Sequence, residues 1–183
     1  MEDADEDELY SAMDWLLRAQ PKVEARLAER HLSEGGLALY DLTSVYLEGS
    51  KCELAKRGYS RDGKRGLPQI EFGLLTNREG CPVAVDVFEG NLADPNTVAT
   101  QVEKLQKRFG LAEVVLVGDR GMLTSARIEA LKEVGGMGWI SALRTPQIEA
   151  LVNKWRSPAG LVRPAQLLEI SSPRFPREAA GGV

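Results

Sequence analysis

The segment Leu37-Ala38-Leu39-Tyr40-Asp41-Leu42-Thr43-Ser44-Val45-Tyr46 is rich in strand formers and carries one carboxylate near its centre. Aspartate is depleted in strands. Taking an unpaired carboxylate out of water costs several kcal/mol in practice, so an acid here calls for a partner, a metal or a water-lined cleft. A chain with this segment must build a sheet and find a use for Asp41, or else occupy the acid in Asx-type hydrogen bonds to nearby backbone.

Composition narrows the chemistry that Asp41 can join. His31 is the only histidine of the 183 residues, which argues against Ser-His or Cys-His nucleophile pairs and against histidine-rich metal sites. Cys52 and Cys81 are too few for a disulfide framework or a zinc site. Any catalysis therefore falls to carboxylates. With 43% hydrophobic and 27% charged residues the chain fits a single soluble domain with a real core. No apolar run approaches the roughly 18 residues that span a bilayer. The acidic start (Glu2, Asp3, Asp5, Glu6, Asp7, Glu8) is the opposite of a signal peptide. These features exclude a membrane partner and point to the cytoplasm. The net charge of −4 does not advertise nucleic-acid binding, yet Lys51, Lys56, Arg57, Arg61, Lys64 and Arg65 form a local basic strip.

Taken in order, Leu9, Met13, Leu16, Val23 and Leu27 recur at helical steps, and Pro21 fits the first turn of a second helix capped near Gln20. Gly35-Gly36 releases the chain into the strand of Asp41. Residues 48–66 read as a polar, glycine-bearing surface loop of the mobile kind. Gln69–Leu75 and Pro82–Phe88 are strands about an Asn77–Gly80 turn, completing a three-stranded antiparallel meander. Asp94-Pro95 opens a helix, with Asp94 as the capping carboxylate and Val98, Val102, Leu105 and Phe109 in one stripe before Gly110. Val114–Val117 has the continuous apolar character of a parallel strand covered on both faces. Thr124 caps a further helix with Ile128 and Leu131 inward, and Trp139–Leu143 is the last strand. Gln147–Trp155 fits a helix. The expected division is a helical segment over 1–36, an α/β core over 37–155 and an irregular tail over 156–183.

Three antiparallel strands followed by alternating helices and parallel strands is the ribonuclease-H-like order, in which the first and fourth strands are neighbours. That brings Asp41 beside Asp119. Two close carboxylates repel, and a divalent cation relieves the repulsion. Such acids in two-metal sites serve in-line displacement at phosphorus.

Tyr40-Asp41-Leu42-Thr43-Ser44, Gly58-Tyr59-Ser60-Arg61-Asp62-Gly63-Lys64, Leu67-Pro68-Gln69, Gly90-Asn91-Leu92-Ala93-Asp94 and Gly118-Asp119-Arg120-Gly121-Met122 stand in an order that resembles the DDE transposases of bacterial insertion sequences. The resemblance runs from about Leu9 to Ser172 and implies a ribonuclease-H-like core. It implies cleavage at the ends of a mobile element and joining of its 3′-hydroxyl ends to target DNA, with magnesium or manganese. On it, Asp41 and Asp119 are the first two metal-binding catalytic acids. The family's third acid lies in a Tyr-x-x-Arg-x-x-x-Glu pattern that this sequence lacks. The resemblance therefore implies an impaired core, truncated at both ends. The partners it implies are DNA and a second copy, either of this chain or of an intact transposase. Loss of the flanking segments would expose one flank of the sheet, with a melt below about 65 °C expected.

Other readings remain open at this point. Asp119 can simply cap the turn that follows it. Arg120 can contact a phosphate or neutralise the acids. The basic strip (Lys56, Arg57, Arg61, Lys64, Arg65) can track DNA or only face solvent, and Tyr59 can pack or stack on a base, packing being the expected role. Glu149 stands where a minimal site would place a third acid, while His31 reads as a helix-end residue. A non-catalytic DNA-binding or regulatory remnant is the alternative function. An aspartyl phosphotransferase is disfavoured, because Thr43 stands where such enzymes place a second aspartate.

Overall fold

The computed structural model describes residues 5–60, 62–64, 66–143, 145, 146 and 148. Strand β1 (Gly36–Tyr46) alternates strictly about Asp41: Ala38, Tyr40 and Leu42 are buried, while Asp41 and Thr43 are exposed. That period of two is what a sheet with one covered face requires. β2 (Gln69–Asn77) and β3 (Pro82–Glu89) complete the meander, and β4 (Val114–Val117) and β5 (Met137–Ile140) extend it on the other side. The strand order is β3-β2-β1-β4-β5, with β1 parallel to β4 and β4 parallel to β5. This is the expected ribonuclease-H-like mixed sheet.

Helices α2 (Asp94–Glu103) and α3 (Ser125–Val134) supply Val98, Val102 and Leu131 to the core over Ala38, Tyr40, Leu75, Ala84 and Leu116. Between α2 and β4 runs a π-helical turn, Lys104–Arg108, which turns Leu105 fully inward before Gly110 ends the element at φ +71°. Only glycine takes that conformation cheaply. Two capping expectations shift. The N-cap of α2 is Ala93, so Asp94 is its first helical residue, and Thr124 holds the N-cap position of α3 without a side-chain hydrogen bond. β4 is not covered on both faces either, since Val114 and Leu116 are buried but Val115 and Val117 only half-buried. The other face of the sheet leaves Val45, Leu74, Val85, Val87 and Ile140 each about two-fifths to one-half exposed.

The expected break at Pro21 is absent. Helix α1 runs unbroken from Glu6 to His31, opened by a capping box in which Asp5 and Glu8 each bond the other's amide. Proline removes one amide from the ladder, but the helix is pinned on both sides of it. Gln20 Nε2 donates to Val85 O (2.9 Å), and Glu24 Oε1 accepts from Val85 N (3.2 Å). These side chains satisfy the free edge of β3, the role a covering element plays at a sheet margin.

Behind that edge sits a buried ionic cluster that sequence reasoning missed. Lys104 Nζ lies 2.6 Å from Asp86 Oδ2 and 3.5 Å from Glu24 Oε2, Arg108 Nη2 reaches Glu24 Oε2 at 2.9 Å, and Gln101 Nε2 reaches Asp86 Oδ2 at 2.8 Å. It joins α1, β3, α2 and the π-helical turn through charge rather than apolar contact.

The entry of β1 beside β4 is fixed by Glu34. Its carboxylate accepts the amides of Ala112 (2.9 Å) and Glu113 (2.8 Å), while Gly35 N donates to Glu113 O (2.8 Å). Those backbone hydrogen bonds hold the Glu34 carboxyl below its usual 4.5. A depressed folded-state value stabilises the fold above the unfolded value and is lost as pH falls through the folded one. Titration of Glu34 followed by NMR should give a midpoint below 4.5. Glu34→Gln should flatten the loss of stability with acidification below about pH 4.

Candidate active site

The parallel ladder pairs Leu37 with Val115, Ala38 with Leu116 and Leu39 with Val117. The pairing ends at Leu39 and Val117; Asp41 lies two residues further along β1, and Asp119 two residues past the carboxyl end of β4. In open α/β sheets that end is where ligands bind. The expected adjacency of the first and fourth strands is what the ladder shows.

The two acids are prepared differently. Asp41 sits on the exposed face of β1 opposite Leu74 of β2, and its carboxylate makes no hydrogen bond among the described residues. The Asx-type alternative is not what its surroundings display. Asp119 does serve its turn: Oδ1 accepts from Gly121 N (2.7 Å) and Met122 N (2.8 Å), and its carbonyl accepts from Leu123 N (3.0 Å). The turn therefore orients Asp119 while Oδ2 accepts no hydrogen bond among the described residues. Met122 and Leu123 anchor the far side of the turn in the core.

Tyr40, adjacent to Asp41, belongs to the opposite face. Burial pushes its phenol up to about 12, so it stays neutral and offers no base beside the acids. Its ring lies across Gly73, where a Cβ would come within 2.3 Å of the Tyr40 hydroxyl oxygen.

A hard cation fits this donor set. Two exposed carboxylates, one already oriented by amides, suit Mg²⁺ or Mn²⁺, ions that take oxygen ligands and, for Mg²⁺, keep several waters. No group of three or more His, Cys, Asp or Glu side chains able to hold a metal occurs among the described residues. Glu149 lies outside the described residues, as do Arg61 and Arg65. The cavity formed at the amino end of β1 is lined by Arg30, His31, Asn77, Arg78 and Glu79, away from both acids. His31 is the last residue of α1, as its position suggested.

The basic loop is held far more firmly than its composition suggests. Lys56 and Gln69 exchange backbone hydrogen bonds (3.0 and 2.9 Å), and Gly90 N donates to Leu54 O (3.1 Å). The buried Gln69 Nε2 lies 2.9 Å from each of Tyr59 O, Gly90 O and Glu71 Oε1. Tyr46 and Ser60 share a hydrogen bond of 2.7 Å. Backbone stacks on backbone here: a Cβ on Gly58 would lie 1.9 Å from Gly90 O, and one on Gly90 1.8 Å from Gln69 O. Three of the segments that carry the family resemblance thus meet at one structural buckle. Gly90→Ala should cost about 1–3 kcal/mol by overpacking, read as a drop of several degrees in Tm.

On this buckle Lys56, Arg57 and Lys64 are exposed, with Lys64 Nζ 4.9 Å from the centre of the Tyr46 ring. The packing expectation for Tyr59 is overturned, because its side chain is 85% exposed. The buckle holds its backbone and points the ring outward. Arg120 is exposed and forms no ion pair among the described residues, which leaves the neutralising role without a contact.

The strand order β3-β2-β1-β4-β5 is that of a ribonuclease-H-like core. Residues 33–169 match the model of the transposase DDE domain, and the chain belongs to that family. No curated protein matches the sequence. Among solved structures, a cryo-EM structure of a piggyBac transposase synaptic complex with hairpin DNA aligns at TM-score 0.47 and 13% identity, over 69% of this chain and 27% of that one. A Mos1 transposase paired-end complex with the left transposon end aligns at 0.38 and 8%, over 77% and 55%. A Mos1 mariner paired-end complex with Mn aligns at 0.38 and 10%, over 74% and 54%. The chain thus spans about half or less of the length of these proteins.

Proposed function

We propose that this chain is the catalytic core of a DNA transposase that cleaves and joins DNA strands with a divalent cation, Mg²⁺ or Mn²⁺, held by Asp41 and Asp119. What supports the reading is the parallel pairing of β1 with β4, the strand of Asp41 running beside the strand whose carboxyl end leads into Asp119. Asp41 and Asp119 would hold the cation, which when bound would supply activation of a water or 3′-hydroxyl and stabilisation of the leaving oxygen at phosphorus. Asp119 is oriented for this by the amides of Gly121 and Met122. Lys56, Arg57, Lys64 and Arg120 supply phosphate contacts from exposed positions; Arg61 and Arg65 belong to the same basic stretch of sequence.

A second reading, a non-catalytic DNA-binding or regulatory relative of an active transposase, draws on one observation. Lys56, Arg57 and Lys64 are exposed on the basic loop and need no metal to meet a phosphate backbone. One experiment separates the two: duplex DNA spanning the flanks of the chain's own coding sequence, incubated with the protein and Mg²⁺ or Mn²⁺. Salt-sensitive binding with nicking that Asp41→Ala abolishes is the expected result. Binding without nicking selects the second reading. No binding even at low salt defeats both.

A further inference from the structure

Among the described residues Tyr59 is the most exposed of the large apolar and aromatic side chains, at 85%. The tyrosines of β1 are used by the fold: Tyr40 is buried, and Tyr46 shares a hydrogen bond with Ser60 and carries Lys64 over its ring. A ring left in water forgoes the stabilisation that burying an aromatic brings.

The backbone under that ring is nonetheless fixed on both sides. Gly58 is pressed against Gly90, where a Cβ would come within 1.9 Å of Gly90 O. Tyr59 O accepts from the amide of Gln69 (2.9 Å), a side chain only 1% exposed. Ser60 Oγ lies 2.7 Å from Tyr46 Oη. Three consecutive residues are thus held while the middle side chain is presented to water. A clamp that served stability alone would gain most by turning the ring inward. A rigid ring facing out is a pre-organised contact surface.

Its place in the fold favours nucleic acid as the contact. β1 runs parallel to β4, so Tyr46 at the end of β1 and the turn of Asp119 lie at the same end of the sheet. Tyr46 stands roughly 17 Å along the strand from Asp41 at 3.4 Å per residue. Lys56, Arg57 and Lys64 surround the clamp in the chain, and all three are exposed. Cations that follow phosphates beside a ring that stacks on a base are how proteins hold an unpaired strand. A closed duplex offers such a ring no free base face, because each base is covered by its neighbours. Only a base taken out of the stack can use it.

We propose that Tyr59 is a stacking platform for an unpaired base of a DNA strand, with Arg57 and Lys64 on the neighbouring phosphates. This role rests on the reading of the chain as a DNA-joining core and adds a form of substrate to it: DNA opened at one or more bases rather than closed duplex. Neither Asp41 nor Asp119 takes part in it.

The test is binding of the full chain, by fluorescence anisotropy at low salt without divalent cation, to an end-labelled single strand and to the same strand annealed to its complement. Tyr59→Ala should weaken single-strand binding about tenfold or more and leave duplex binding within about twofold. Tyr59→Phe keeps the ring and should bind as the wild type does. Tyr59→Leu is apolar without a ring face and should behave as Tyr59→Ala. Melting should be the same in all three variants, because the side chain is exposed. No loss in Tyr59→Ala, an equal loss on both forms of DNA, or full binding by Tyr59→Leu overturns the platform and leaves the DNA reading in place. A Tyr59→Ala variant that melts several degrees lower would assign the ring to the packing of the loop, and that too overturns it. Absence of binding to either form at low salt overturns both readings together.

Discussion

Lys104→Met is expected to destabilise the fold by about 3–5 kcal/mol, because it leaves buried carboxylates without their cation. Lys104 is 3% exposed and serves two acids at once, Asp86 at 2.6 Å and Glu24 at 3.5 Å. Methionine matches its volume, so the loss is electrostatic rather than a cavity. Arg108 still reaches Glu24, and Gln101 still reaches Asp86, which favours the lower part of the range. Urea denaturation measures the effect directly. Adding Asp86→Asn to Lys104→Met should recover part of the loss, since it removes one uncompensated charge. A deficit below about 1 kcal/mol would show that the cluster is solvated and carries no such weight.

This cluster also marks where reading the sequence stops. The meander, the β1–β4 adjacency and the helix after Asp94 follow from local signals: alternation about Asp41, the turn at Asn77–Gly80, the apolar run Val114–Val117. Glu24, Asp86 and Lys104 lie on three separate elements, and each alone looks like a solvated charge. Only the third dimension shows that they share a site. Pro21 misleads for a related reason. Its local cost is real, but Gln20 and Glu24 tie the helix to the edge of β3 on either side, and tertiary contacts override propensity. The polar loop that looked mobile is clamped by Gln69, whose amide gathers three carbonyl or carboxylate oxygens. Composition reports that residues are polar, not that they are satisfied. Gly58 and Gly90 were present among the segments that carry the resemblance, and their purpose, close approach of backbone to backbone, became visible only with the packing. For the candidate site the sequence carried the adjacency of β1 and β4. It could not supply the register of that pairing, which starts where Glu34 grips the amides of Ala112 and Glu113.

Asp41→Asn and Asp119→Asn are each expected to abolish Mn²⁺ binding at the pair and to lower metal-dependent DNA cleavage by on the order of 10³-fold. A cation at such a site contributes several kcal/mol to the transition state, and each 1.36 kcal/mol is about tenfold in rate. Their effects on the fold should differ from their effects on the metal, and that contrast makes the test discriminating. Asp41 is exposed and its carboxylate makes no hydrogen bond among the described residues, so Asn there should leave stability within about 0.5 kcal/mol. Asp119→Asn keeps a carbonyl oxygen to accept from Gly121 and Met122, so the turn should survive. Asp119→Ala removes that acceptor and should cost about 0.5–2 kcal/mol in addition. Electron paramagnetic resonance of Mn²⁺ reports binding without any need for turnover, and thermal melts report the fold. Undiminished Mn²⁺ affinity in Asp41→Asn would assign the acid to the sheet alone, whatever its register. Loss of affinity in both Asn variants, with both folds intact, would tie the cation to two carboxylates that share nothing in the chain except the alignment of β1 on β4.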